Sequence, residues 1–166
     1  MAVVTKYGSA DRDPASLKAI EAINRAAEVR LIKSLIAVTN GDSSGSRYFV
    51  GSVPTNAKMN PGGSLYYSAI TGVATAKMGF YYPNGGAAIN DAALMTGQSL
   101  AAAGSVSLAA AAGSGVATPA NMEKFVWQLA GLASDPGGEL DIVLTTAAAA
   151  TADGSIYAEL SYAKGV

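Results

Sequence analysis

The chain has 166 residues, half of them hydrophobic, with 19 glycines, no cysteine, no histidine and a formal net charge of −1. That length suits one domain with a core of its own. Without Cys and His there are no disulfides, thiol nucleophiles, imidazole bases or ordinary zinc ligand sets. Near-neutral charge gives no electrostatic reason for nucleic-acid binding.

Taken in chain order, residues 1–13 start apolar (Val3, Val4) and become polar, with Lys6, Asp11, Arg12 and Asp13 interrupting any signal-like apolar core. We read them as an N-terminal arm. Asp13-Pro14 is a helix start, since Asp caps and Pro fits the first helical position. Leu17, Ile20 and Ile23 then share a face, which predicts a short helix over about 14–24 within a connector, 14–27. The β-domain is expected over 28–166. No run approaches the ~18 apolar residues that span a bilayer, so no membrane partner is expected.

From Val29 the β-branched set Val29, Ile32, Ile36 and Val38 predicts a strand closed by Asn40-Gly41-Asp42. Arg47 to Val53 reads as the next strand, ended by Pro54, and Ala57 to Met59 as a fragment before the turn Asn60-Pro61-Gly62-Gly63. Leu65 to Ile70 and Thr75 to Tyr82 follow, the second with Ala76, Met78, Phe80 and Tyr82 on one face. The Ala/Gly/Ser-rich stretch 87–121 carries little period; only Ser105 to Leu108 reads as a strand, with Leu94, Met95 and Leu100 as anchors. Lys124 to Leu129 is apolar enough for a strand, and Trp127 is expected in the core. Glu139 to Thr145 and Ser155 to Tyr162 alternate with period two, and Asp153-Gly154 is a turn signal, so a closing hairpin is expected with Glu139 and Asp141 facing solvent. Many short strands between Gly, Pro and Asn turns predict an all-β, single-domain β-sandwich, a jelly roll by strand number and length.

No motif carries convincing chemistry. GDSSGS at 41–46 lacks the lysine and helix of a phosphate loop, and a serine triad needs a histidine. Asp135, Glu139 and Asp141 are close in sequence, but strand charges ordinarily face solvent. Asp11 with Asp13, and Asp42 with Asn40, do not match calcium-loop spacing. We therefore expect no enzyme activity, cofactor or metal. Tyr66-Tyr67 and Tyr81-Tyr82 each put one ring inward and one outward on a strand, and an outward ring in an open groove suits sugar stacking.

Ser46-Arg47-Tyr48-Phe49-Val50 leading to Val53-Pro54-Thr55-Asn56-Ala57, then Met78 to Tyr82 before Asn84-Gly85-Gly86-Ala87-Ala88-Ile89-Asn90-Asp91-Ala92, resembles small virion structural proteins of tailed bacteriophages. The resemblance runs from about Val29 to Leu100. It implies an all-β capsid-associated protein of the decoration or cement type, possible as a homotrimer, made in the host cytoplasm and bound to the outer head surface. Its partners would be the major capsid protein and copies of itself. The alternative is a tail- or fibre-associated jelly-roll module that holds glycans. The arm residues Val3, Val4, Lys6, Tyr7 and Arg12 are the expected interface, by adding a strand to a neighbour.

Overall fold

The computed structural model describes residues 28–111 and 113–164. The expected arm and the helix over 14–24 lie outside that range. The described chain is built from nine strands and one helical turn. The elements are β1 (Val29–Val38), β2 (Arg47–Pro54), β3 (Lys58–Met59), β4 (Ser64–Tyr67), β5 (Ala76–Tyr81), β6 (Ala88–Gln98), β7 (Gly104–Ser107), α1 (Val126–Leu129), β8 (Glu139–Thr146) and β9 (Gly154–Ala163).

These strands form two antiparallel sheets. The first runs β1-β9-β4-β7, with β3 also paired to β9, and the second runs β2-β8-β5-β6. The two inner faces meet in one apolar core. Val50 and Val53 of β2, Met78 and Phe80 of β5, and Leu140, Ile142 and Leu144 of β8 enter it from the second sheet. Leu65 of β4 and Ile156, Ala158 and Leu160 of β9 enter it from the first. The period-two reading therefore placed the apolar sets of β8 and β9 correctly, and Ala76, Met78 and Phe80 of β5 with them.

The closing hairpin does not form. β8 pairs with β2 and β5, whereas β9 pairs with β1, β3 and β4. The chain between them crosses from one sheet to the other. Asp153 Oδ1 accepts the Asn40 N–H at 2.7 Å, and Gly154 pairs with Val38. Asp-Gly thus starts β9 at the end of β1 and does not reverse the chain between β8 and β9. The 39–46 and 147–153 connections run together, tied by Gly41 N–H to Ala150 O and Ala150 N–H to Asp42 O, both 2.9 Å.

The Lys124–Leu129 segment is not a strand. The Val126 and Trp127 N–H groups bond the Ala57 and Thr55 carbonyls, and Gln128 Oε1 accepts the Phe125 N–H at 2.9 Å. The first-turn donors of α1 are satisfied in this way, as any helix start requires. Val126, Leu129 and Ala130, at helical spacing, form its buried face. Trp127 falls off that face and is half-buried, not a core residue.

The Ala-rich stretch conceals β6, the longest strand at 11 residues. It pairs with β5 through three register shifts, so its side chains lose a simple alternation. At Gly79 the bulged backbone of β6 lies where a Cβ would be, against the Asn90 carbonyl oxygen and 2.7 Å from Asp91 Cα. A glycine is the only residue that admits this approach.

Candidate functional site

Two outer faces carry most of the exposed aromatic and apolar side chains. On the second sheet, Leu140, Ile142 and Leu144 point inward, so Glu139, Asp141, Val143 and Thr145 of β8 point outward. β2 adds Phe49 and Ser52 to this face. They are three apart because the register shifts between Phe49 and Gly51, leaving Phe49 opposite Val143 and Ser52 opposite Asp141. β5 adds Tyr81, opposite Asp141.

Tyr81 determines the relief of this face. Its hydroxyl lies 2.8 Å from Thr145 Oγ1, four residues along β8 from its own partner, so the ring runs along the strand. Gly79, opposite Val143, presents no side chain to obstruct it. The Arg47 guanidinium sits 5.0 Å above the Tyr81 ring and donates to the Gly86 carbonyl at 3.4 Å. Tyr81 is therefore covered although it faces outward, and Val143 and Asp141 are covered with it. The expectation that Asp141 meets solvent fails for this reason. Its carboxylate accepts the Ser52 hydroxyl at 2.9 Å.

Tyr82, expected inside with Phe80, is 45% exposed. β5 ends at Tyr81, and Pro83-Asn84-Gly85-Gly86 folds back, with Gly86 N–H bonded to the Tyr82 carbonyl at 3.1 Å. Asn84 and Gly85 both take positive φ, at 60° and 74°. This turn walls one side of a groove of about 680 Å3, floored by β8 and open to solvent. Phe49 lies at its other side, 54% exposed. Glu139 lines it with an exposed carboxylate that bonds to no other described residue.

On the first sheet, the outer face of β1 presents Val29, Leu31 and Leu35, the last 74% exposed. Leu35 pairs with Tyr157 of β9, and Tyr157 with Tyr66 of β4, their ring centroids 6.2 Å apart. An apolar row thus crosses three strands. Lys33 and Glu159, paired in the next row, carry an ion pair at 3.7 Å. β1 is also an edge of the sheet.

Of the two tyrosine pairs, Tyr66-Tyr67 divides as period two requires, whereas Tyr81 and Tyr82 both line the outer groove. Tyr66 is exposed and Tyr67 packs on the core, where its hydroxyl accepts from Gln98 Nε2 at 2.9 Å. Asp42 turns its carboxylate inward on the 39–48 loop. Oδ2 accepts the Thr39 N–H at 3.0 Å and the Tyr48 hydroxyl at 2.8 Å. The backbone N–H, and then the Tyr48 hydroxyl, hold its pKa below the ordinary carboxylate value. Burial, with the Asp42 bond behind it, pushes Tyr48 up to about 12. Among the described residues no three His, Cys, Asp or Glu side chains converge as a metal site would require. The proposed interface residues Val3, Val4, Lys6, Tyr7 and Arg12 lie outside the described residues. The groove was legible in part, as a pair of tyrosines and the neighbouring carboxylates Glu139 and Asp141; the bulge at Phe49 that completes it gave no sequence signal.

No protein-family model matches the chain, and no curated protein matches it. Among solved structures, a chain of the "Cyanophage Pam1 capsid asymmetric unit" is similar in fold, with a TM-score of 0.56 at 13% identity. The match spans 97% of this chain and 99% of that one, so the two chains are nearly the same length.

Proposed function

We propose that the chain is a tailed-phage virion protein of the decoration type, which binds the outer head surface and bridges neighbouring capsomers. The observation that carries this reading is the similarity in fold, over nearly the whole length of both chains, to a chain of a cyanophage capsid. A capsid chain of this length is small enough to be an accessory to the shell. The strand order supports the same class. Sheets ordered β1-β9-β4-β7 and β2-β8-β5-β6, with the chain passing repeatedly between them, support a jelly-roll reading with β3 as a short addition.

On this reading the protein is structural and not an enzyme. Attachment would use the apolar row Leu35-Tyr157-Tyr66 with Leu31 beside it, because a contiguous apolar patch on a sheet face is a contact surface. The arm residues Val3, Val4, Lys6, Tyr7 and Arg12 would extend the contact to a neighbouring subunit or to the major capsid protein. A homotrimer suits a capsid threefold axis. A protein that binds only the assembled shell stabilises it by mass action.

The test is cryo-electron microscopy of the phage that encodes the chain, with heat challenge of heads stripped of it. Density for this fold at capsomer junctions, and earlier rupture of stripped heads, are the expected results. Density confined to the tail would reject the decoration reading.

A further inference from the structure

We infer that the groove on the outer face of the second sheet is a binding site for a neutral oligosaccharide. The inference does not depend on where in a particle the protein sits. Its volume, about 680 Å3, falls in the range of sites that hold small ligands. Two aromatic side chains, Phe49 and Tyr82, stand exposed at its sides, where apolar rings are costly to leave in water without a partner. The C–H faces of a pyranose fit against such rings, while its hydroxyls need both donors and acceptors.

The groove supplies both. Glu139 brings a carboxylate that bonds to no other described residue, and Asn84 brings an amide that can donate and accept. The remaining polar groups are already fixed. Asp141 is held by Ser52, and Arg47 by the Tyr81 ring and Gly86. A site whose side chains are held in advance loses less entropy on binding.

The charge balance selects the ligand class. One engaged guanidinium faces two carboxylates, Glu139 and Asp141, so phosphate, sulfate and acidic sugars are disfavoured. A purely apolar ligand would strip water from Glu139 without replacing its hydrogen bonds. A peptide adding itself as a strand needs free backbone groups, but β8, which floors the groove, is paired on both edges, and the one open edge nearby is that of β2, at the rim beyond the floor. Recognition over the floor is therefore by side chains, and a neutral, hydroxyl-rich ligand meets all of these conditions.

The test is an NMR titration of the full chain with neutral hexamers of α-1,4-linked glucose, β-1,4-linked glucose and β-1,4-linked N-acetylglucosamine. At about 10 mM sugar a site with a Kd of ~1 mM is mostly filled. We expect saturable shifts for at least one hexamer, centred on Phe49, Tyr82, Asn84 and Glu139. Phe49→Ala and Tyr82→Ala should each weaken binding about tenfold. Glu139→Gln, which keeps the shape and removes the charge, should weaken it severalfold. It also keeps the test decisive if an alanine variant fails to fold. No saturable shift with any hexamer, shifts elsewhere on the molecule, or binding that none of the three variants weakens would each overturn the inference.

Discussion

At the scale of the residue, two positions matter beyond their own side chains. Gly79 is where the bulged β6 crosses β5, and its neighbours there are backbone atoms, which cannot rotate away. We expect Gly79→Ala to cost about 3 kcal/mol, the cost of overpacking at a rigid site. For a chain of this size that is a fall of roughly 10 °C in Tm, readable by calorimetry. The second position is the Tyr48–Asp42 pair. Tyr48 has a folded pKa near 12, above its ordinary value, so the folded state holds the phenol proton more tightly than the unfolded chain does. Its contribution is fully present below the unfolded pKa and is lost as pH rises from about 10 to 12. Asp42 has the opposite sign. Its depressed pKa gives stability that is present above the ordinary carboxylate value and disappears as pH falls through the folded one. Denaturant titrations should therefore show Tyr48→Phe losing less stability than the parent on going from about pH 9 to pH 11. Equal losses would mean the hydroxyl is not protected in the fold.

At the scale of the element, the sequence was readable wherever side chains alternate toward the core. β1, β5, β8 and β9 turn alternate apolar side chains to the core, and their bounds follow from period two and from Pro, Asn and Gly at the ends. β6 was unreadable because three register shifts remove the period and its Ala-rich residues have weak strand preference. α1 misled because the four apolar residues Phe125, Val126, Trp127 and Leu129 fit either period, and its helical form depends on the distant Thr55 and Ala57 carbonyls. The false hairpin came from treating strands that are adjacent in sequence as neighbours in space, a frequent rule but one that crossings between sheets break. The outer row of β1 gives this scale its own prediction. Leu35 is so exposed that Leu35→Lys should change folding stability by no more than ~0.5 kcal/mol. If the row Leu35-Tyr157-Tyr66 is the contact surface, the same variant should lower attachment to stripped heads at least tenfold in co-sedimentation. Unchanged attachment would move the contact elsewhere.

At the scale of the whole molecule, the crossing of the chain between sheets makes the fold depend on distant contacts. β1 is closed by β9, and β2 by β8, so strands from the two ends of the described chain pair in both sheets. The first and last described segments thus belong to the same body, and residues 1–27 precede it in sequence. The core residues identified above run from Val38 to Leu160, with Ile32 and Tyr162 packed against them. Deleting residues 2–13 should therefore leave the circular dichroism spectrum and the cooperative melt of the β-domain intact. What it should change is association. Val3, Val4 and Tyr7 are β-favouring and apolar, and Lys6 and Arg12 flank them, a composition suited to pairing with a partner's sheet edge beside acidic groups. Strand addition by the arm would supply main-chain hydrogen bonds, so the truncated protein should lose self-association, head attachment, or both. Sedimentation and head binding equal to those of the full chain would show that the arm takes no part in assembly and would leave the outer face of the first sheet to account for it.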